Sequence, residues 1–428
     1  MSDIERSLRE ELATLPVIDA HEHLRTHDGC TPQHGVTDFF LRAYLGSLLP
    51  YADTELAARI QDTSRSDRDR WADLVRLWPL VRYSGYGQVL ASMLRAWGLS
   101  EELEPGSYDA IRARLQDRRP EMSQGAYQEA HIAGSVTHYL AHPSVGGLAN
   151  VEDFLAGRLP FDADIHPLLG TLPLHEFNTR ADIELLEQVC GASIGSLEEL
   201  VMAVEGLIDR CASLGIVGLK DHAAYTRGLD FGRPCWDPAD MELQRLLRGE
   251  RFEGGARSLS DYLFDRILKA AIDHSLPVAI HTGFLVGTAD PKANLRHFAS
   301  ILRAYPTVRF DLYHLNAPWY EDLFAILRSF PNTWANCCWA HAMDPAGTVQ
   351  FLHAALRSIP PNHVIGFGGD FFDSPEPVLA HLEIALDHLA AVLGEAVHSD
   401  WMSRGGALEI AHLWLYEAPR ALYGLFAV

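Results

Sequence analysis

The sequence predicts a parallel (β/α)8 barrel, a TIM barrel, with a long helical insertion after its first strand. Short apolar, β-rich segments occur eight times along the 428 residues, and segments of helical periodicity separate most of them. Several of the apolar segments end in His, Lys or Asp, at the strand ends where barrel enzymes carry their active sites. We therefore expect one barrel domain over residues 1–428, with an insertion at 26–130 that caps the barrel mouth.

The predicted strands are 16–21, 135–140, 167–172, 216–220, 277–281, 308–314, 333–338 and 364–369. The helices predicted between and after them are 196–214, 260–274, 292–305, 320–330, 346–358 and 375–393. Within the insertion we predict helices at 39–49, 71–80 and 89–97 and no strand. A long loop, 226–259, is predicted after the fourth strand.

The charge of the chain argues against nucleic acid as a partner. Thirty-five basic and fifty-seven acidic residues give a net charge of −22, which repels phosphate backbones. The N-terminus has no apolar signal-peptide core, and no run of about 18 uninterrupted apolar residues predicts a membrane span. The six cysteines include no Cys-x-x-Cys pair, which is typical of reduced thiols. We expect a cytoplasmic protein with a small-molecule substrate and no membrane partner, and a homo-oligomer remains open.

The first predicted strand ends in a His-x-His pattern, His21 and His23. Residues two apart on an extended chain point to the same side, so both imidazoles face the barrel mouth. Histidine is the commonest protein ligand for transition metals, although a chance pair is not rare among twenty-one histidines. Four later strands also end in metal-ligand or acid–base residues, which are Lys220, His281, His314 and Asp370. Core packing does not require such residues at four rims, so the pattern predicts a shared metal site.

These motifs resemble the amidohydrolase superfamily. The resemblance rests on VIDAHEHL at strand 1, VAIHTG at strand 5, DLYHLN at strand 6 and GFGGDF at strand 8, and it covers residues 16–393. The tail EAPRALYGL is similar to an Asn-Pro-x-x-Leu-Tyr ending of that superfamily, with Ala418 in place of Asn. The long helical insertion is similar to that of uronate isomerases.

The resemblance implies a role for each matching residue. His21, His23 and His281 would bind a divalent metal, and Asp370 would complete the site and act as general base and acid. His314 would bind a second metal or polarise the substrate carbonyl. Zinc suits imidazole and carboxylate ligands, and manganese or iron would fit nearly as well, as one ion or two.

Lys220 has three interpretations. It could be carboxylated and bridge two metals, as in binuclear superfamily members; it could be a cation that holds a substrate carboxylate; or it could extend from the rim into solvent. We favour the substrate cation. Arg25, Tyr225 and Arg227 are further candidates for substrate binding, because a guanidinium suits carboxylate recognition and the two later residues begin the loop after strand 4.

The predicted activity is hydrolysis of a C–N or C–O bond in a small polar substrate by a metal-activated water. The alternatives are a uronate-isomerase-like sugar-acid isomerase and a mononuclear decarboxylase of the same superfamily. A binding or scaffold protein with a structural metal is disfavoured, because a closed structural site would not take its ligands from four strand ends.

Overall fold

Eight strands form one sheet in the order β1 to β8, and the chain is a (β/α)8 TIM barrel, as predicted. The structure is a computed structural model that describes residues 2–27, 35–117, 120–285, 290–372 and 374–426. The strands are β1 Val17–Glu22, β2 Ile132–Leu140, β3 Ile165–Gly170, β4 Gly218–Asp221, β5 Val278–His281, β6 Phe310–Tyr313, β7 Thr333–Asn336 and β8 Val364–Ile365. Parallel register joins each strand from β3 to β8 to the next, for example Gly170 opposite Lys220 and Lys220 opposite Ala279.

The predicted strands all exist, but β3, β6, β7 and β8 end earlier than expected. His314, Leu315 and Asn316 have φ angles of 67°, 54° and 52°, a left-handed conformation that cannot continue an extended strand. The side chains predicted at the ends of strands 6 and 8, His314 and Asp370, therefore lie on the turns that follow β6 and β8.

The chain divides into two compact units. The first comprises Met1–Ser135, Cys337–Arg357 and Gly366–Tyr416, and the second comprises Val136–Asn336, Ser358–Ile365 and Glu417–Val428. Helices wholly or mainly in the first unit are α1 Asp3–Leu12, α2 Val36–Arg42, α3 Leu49–Ala52, α4 Thr54–Gln61, α5 Asp67–Val81, α6 Gly85–Ala96, α7 Ser107–Gln116, α8 Pro120–Glu129, α17 Ala340–Met343, α18 Pro345–Ser358, α19 Pro375–His398 and α20 Arg404–His412. Those of the second are α9 Leu148–Leu155, α10 Leu172–His175, α11 Arg180–Cys190, α12 Leu197–Ser213, α13 Trp236–Leu247, α14 Arg257–Asp273, α15 Ala299–Ala304, α16 Tyr320–Ser329 and α21 Ala418–Tyr423.

The first unit has α19 at its centre. Its apolar face packs against α1, where Leu8 and Leu12 are fully buried, and against α6. This helix is long and apolar enough to cross a membrane, but 67% of its apolar window is buried inside the protein, as in a core helix. The described residues between β1 and β2 form helices and loops, which agrees with the predicted insertion.

The segment after β4 differs from the prediction. Residues 226–259 were expected to be a loop, but they contain α13, Trp236–Leu247. Ala239, Leu243 and Leu246 are buried at helical spacing and α13 packs against α14. The helix forms because this apolar stripe has a neighbouring helix to cover it.

A buried histidine cluster in the first unit predicts acid sensitivity. Burial lowers the pKa of His381 to about 3, and burial and neighbouring histidines hold the pKa of His341 well below its usual range. A histidine with a depressed folded-state pKa stabilises the fold above its unfolded value of 6.5 and loses that contribution as the pH falls towards the folded value.

We therefore expect the free energy of unfolding to fall between pH 6.5 and pH 4, and His381→Leu to reduce the slope by about 1.4 kcal/mol per pH unit. Urea denaturation at several pH values measures both slopes. An unchanged slope in the variant would show that His381 takes up no proton on unfolding.

Candidate metal centre

The end of β1 and the turn after β8 are joined within the first unit. The Ala20 N–H donates to the Phe367 carbonyl at 3.3 Å, and the Asp370 N–H donates to the His21 carbonyl at 2.8 Å. Asp370 has a φ of 64°, a left-handed conformation that non-glycine residues adopt rarely and often at functional positions. These bonds hold the Asp370 side chain beside the His-x-His pair.

The structure brings together three of the predicted metal ligands. Asp370 Oδ1 lies 2.8 Å from His23 Nε2 and 3.3 Å from His21 Nε2. All three side chains are buried, and their ligand atoms lie within 4.8 Å of one another. Zinc bonds of about 2.0–2.2 Å place tetrahedral ligand atoms about 3–4 Å apart, so this donor set needs little rearrangement to hold an ion.

The pKa values of three carboxyl groups at this site are shifted in different directions. Burial raises the pKa of Asp19 to about 7, and burial with the nearby charges of Asp19 and Asp370 raises that of Glu22 well above its usual range. Burial also tends to raise the pKa of Asp370, but the attraction of His21 and hydrogen bonds with both imidazoles outweigh it and hold this pKa well below its usual range. Asp370 is therefore the most readily ionised of the three carboxyl groups.

The polar groups of Glu22 and Asp19 support the backbone around the site. Glu22 Oε2 accepts hydrogen bonds from the N–H groups of His23 and Phe371, both at 3.2 Å. Asp19 Oδ1 accepts from the Gly369 N–H at 2.9 Å. A Cβ at Gly369 would lie 1.8 Å from Glu22 Oε1, so this close approach requires glycine.

An aromatic side chain from the insertion, that of Tyr44, is hydrogen-bonded to the Asp370 backbone. The Tyr44 hydroxyl donates to the Asp370 carbonyl at 2.6 Å, and its ring lies 4.7 Å from that of Trp339. The ring of Tyr86 also stacks on that of Trp339, with the ring centroids 6.0 Å apart. The ring of Phe372 stacks on that of His23, with the centroids 4.0 Å apart. The insertion therefore contributes directly to the surroundings of the predicted general base.

We expect Tyr44→Phe to weaken zinc binding by up to about tenfold, because the lost hydrogen bond is worth about 1 kcal/mol and it positions Asp370. Competition with a chelating indicator measures this affinity. Tyr51→Phe, at a position that is 86% exposed, is the control. Equal affinity in Tyr44→Phe and the control would remove Tyr44 from the account of the site.

His281, His314 and Tyr225 lie together in the second unit. The ring centroid of His281 is 4.3 Å from that of His314 and 4.5 Å from that of Tyr225. His281 Nε2 lies 3.2 Å from the Phe284 carbonyl, an arrangement in which Nε2–H donates and Nδ1 keeps its lone pair. Both histidines are buried, whereas 45% of Tyr225 is exposed, as suits a residue that contacts substrate.

Lys220 is completely buried rather than extended into solvent, so the rim interpretation is wrong. Its Nζ lies 3.5 Å from the ring centroid of Tyr313. Burial raises the pKa of Asp311 to about 7. Hydrogen bonds from Tyr423 and Asn336 and the charge of Lys220 act in the opposite direction but do not outweigh it. The Tyr423 hydroxyl, from the tail motif EAPRALYGL, donates to Asp311 Oδ2 at 2.6 Å.

The guanidinium of Arg227 is held inside the second unit. It donates to Ser260 Oγ at 2.6 Å and to Asp261 Oδ1 at 2.5 Å, and it lies over the ring of Phe231. Substrate binding by Arg227 stays a prediction; the contacts of its guanidinium are with Ser260 and Asp261 of α14 and with Phe231. Arg25 is half-buried just after β1.

Several residues near these strand ends were not among the predicted site residues. His175 lies between Asp221 Oδ2, at 2.7 Å, and Ser260 Oγ, at 2.9 Å. Two buried histidines, His138 in β2 and His142 just after it, also belong to this group. Their signal in the sequence was THYLAH at the end of predicted strand 2, an additional rim that carries two imidazoles.

The fold and the site together define the class of a metal-dependent barrel enzyme. An amidohydrolase family model matches residues 202–425, just over half of the chain. The chain belongs to the amidohydrolase family. No curated protein sequence matches it.

Solved structures resemble the chain over almost its whole length. A uronate isomerase from Thermotoga maritima has a TM-score of 0.79 at 16% identity and covers 99% of this chain and 98% of its own. A glucuronate isomerase from Caulobacter crescentus has a TM-score of 0.76 at 16% identity, with 100% and 96% covered. A candidate metal-dependent hydrolase from Lactobacillus casei has a TM-score of 0.65 at 15% identity, with 98% and 99% covered. The chain is thus an amidohydrolase superfamily member that resembles uronate isomerases in fold.

Proposed function

We propose that the protein is a metal-dependent hydrolase that cleaves a C–N or C–O bond in a small polar substrate. The observation that carries this proposal is the convergence of His21 and His23 on Asp370, a carboxylate whose pKa is held well below its usual range. A buried pair of imidazoles beside an ionised carboxylate is a donor set that suits zinc, and it also accepts manganese or iron.

Each residue of the proposed site has a separate role. A divalent ion held by His21, His23 and Asp370 would lower the pKa of a water molecule towards neutrality. Asp370 takes a proton from the attacking water and delivers one to the leaving group. Glu22 and Asp19 fix the backbone on either side, so that Asp370 and the imidazoles keep their positions. In this proposal His281 remains a further ligand, and His314 polarises the scissile carbonyl or holds a second ion.

A second candidate is isomerisation of a sugar acid. The similarity in fold to two sugar-acid isomerases, over 96% or more of each chain, supports this alternative to a similar degree. Asp370 would then move a proton between adjacent carbons of the substrate, and no water would be consumed. A mononuclear decarboxylase is the third alternative.

The two main candidates differ in what they add to the substrate. We would incubate the zinc-loaded and manganese-loaded protein with small amides, esters, lactones and sugar acids, in H2(18)O and separately in D2O. A hydrolase incorporates one (18)O into its product, whereas an isomerase conserves mass in H2(18)O and exchanges a carbon-bound proton in D2O. Asp370→Asn should abolish either activity. Turnover that persists in this variant would contradict the assignment of Asp370.

The number of ions separates the two remaining interpretations of Lys220. Two ions per chain, one of them lost in Lys220→Met, would support a carboxylated bridge. One ion per chain, with Lys220→Met raising KM for an acidic substrate, would support the substrate cation. Elemental analysis and steady-state kinetics make these measurements.

A further inference from the structure

A cavity of about 500 Å³ lies among the helices of the first unit. Three helices each line it with one face: α6 with Ser92 and Met93, α8 with Ser123 and Ala126, and α19 with Leu379. Both α6 and α8 pack on α19. Small-molecule sites have volumes of about 300–1,000 Å³, so this cavity is large enough for a small organic ligand. Its described lining residues include none of the predicted site residues.

Two serine hydroxyls at the cavity are buried without a protein partner. Ser92 is 8% exposed and Ser123 is 7% exposed. Serine in a helix often donates to the carbonyl one turn earlier, but neither hydroxyl forms a hydrogen bond with any described residue. A buried hydroxyl is unfavourable until a partner bonds to it. A polar group of a ligand in the cavity would supply that partner.

The remaining walls of the cavity present an apolar and aromatic surface. Met93 is buried, and Trp97, directly after α6, is half-buried. Methionine sulfur and the indole ring make favourable contacts with aromatic groups, and the indole ring also attracts cations more strongly than other rings do. Met122 lines the cavity and is 55% exposed, so a ligand in solvent has access to it.

Negative charge predominates around the cavity. The charged side chains among its described lining residues are Asp117, Glu129, Glu376, Glu383 and Arg114. The Glu129 carboxylate forms no hydrogen bond or ion pair with any residue that the structure describes. A cationic ligand would therefore meet an unpaired carboxylate there.

The ends of two helices add to the attraction for a cation. α6 ends at Ala96 and α8 ends at Glu129, and both residues line the cavity. The carbonyl end of a helix carries partial negative charge, and the Arg114 guanidinium already donates to the Trp97 carbonyl at 3.0 Å. α19 begins at the cavity, but Glu376 in its first turn offsets the positive end of this helix.

We propose that this cavity binds a small organic amine in its protonated form, with an aromatic body. The ammonium group donates to the Glu129 carboxylate and to the hydroxyls of Ser92 and Ser123, and the aromatic body packs against Met93 and Trp97. Charge-assisted hydrogen bonds of this kind are stronger than those between neutral groups, so the charge of the ligand decides its affinity. The site goes beyond the proposed function and does not depend on it.

Calorimetric titration of the zinc-loaded protein with phenethylamine at neutral pH tests the proposal. Phenethyl alcohol is the neutral analogue and phenylacetate the anionic one. We expect the amine to bind at one site, and each analogue to bind at least about tenfold more weakly. Equal binding of the alcohol would show that the cavity does not select a cation, and absence of amine binding at millimolar concentration would overturn the site.

Ala126→Phe, which fills the cavity from α8, should abolish binding of the amine. Gln124→Phe, at an exposed position of the same helix, is the matched control and should bind as wild type does. Ser92→Ala should weaken binding by about tenfold, because a hydrogen bond to a charged group is lost. Circular dichroism and thermal melting check folding, and Ser92→Ala serves if Ala126→Phe does not fold. Wild-type affinity in the folded cavity variants would overturn the proposal.

Glu129→Gln tests the charge without changing the shape of the cavity. It should weaken binding of the amine by about three- to fivefold, because an ion pair at an exposed carboxylate is modest in strength. Glu55→Gln, the same change at an exposed position of α4, should have no effect. His21→Ala should also bind the amine as wild type does. Loss of binding in His21→Ala would show that the amine binds the zinc ion, which would overturn the proposal.

Discussion

His21→Ala and Asp370→Asn are each expected to weaken zinc binding by at least about a hundredfold. Removing a group that only orients a metal ligand weakens metal binding by up to about a hundredfold. We expect a larger loss here because His21 and Asp370 are themselves proposed ligands. Asp370→Asn should also lower turnover by about a hundredfold to ten-thousandfold, because it removes the general base. Dialysis against graded free zinc, followed by elemental analysis, gives the affinity.

The control for these variants is His398→Ala, an exposed histidine at the end of α19. It should bind zinc as wild type does. Wild-type affinity in His21→Ala would show that the His-x-His pair does not hold the ion. Loss of affinity in the control as well would show that the measurement follows general histidine binding instead of the site.

Gly85→Ala is expected to destabilise the protein by about 3 kcal/mol or more. A Cβ at Gly85 would lie 1.9 Å from the Ala342 carbonyl oxygen and 2.8 Å from its carbon, and backbone atoms cannot move aside as a flexible side chain can. Gly85 begins α6, which packs on α17. The substitution therefore separates this helix of the insertion from the segment that carries Trp339.

Chemical denaturation measures this loss, and Gly125→Ala in α8 is the control because a Cβ there meets nothing within 4 Å. The control should be neutral or slightly stabilising, since alanine has the higher helix propensity. A stability equal to that of wild type in Gly85→Ala would mean that α6 lies farther from Ala342 than the structure places it.

The barrel and its functional strand ends could be predicted from local patterns. A short apolar, β-rich run that ends in a polar residue identifies both the strand and the side chain at its rim, which is why His21 and His281 could be placed at the ends of β1 and β5. The helix α13 was missed although its apolar spacing was present. The packing of this apolar stripe on the covering helix α14 cannot be inferred from the segment alone.

The contacts around Asp370 could not be predicted, because they join residues far apart in the chain. Tyr44 and Asp370 are separated by 326 residues, and their hydrogen bond depends on how the insertion folds back. Lys220 shows the same limit. Its strand position indicated a rim residue, but whether a long side chain extends into solvent or lies over an aromatic ring such as Tyr313 depends on neighbouring strands.

The central claim is that His21, His23 and Asp370 hold the catalytic ion. Anomalous diffraction at the zinc edge, from crystals grown with zinc, tests it most directly. We predict a peak about 2.0–2.2 Å from Nε2 of both histidines and from a carboxylate oxygen of Asp370. A well-ordered site without a peak, or a peak only at other residues, would contradict the account.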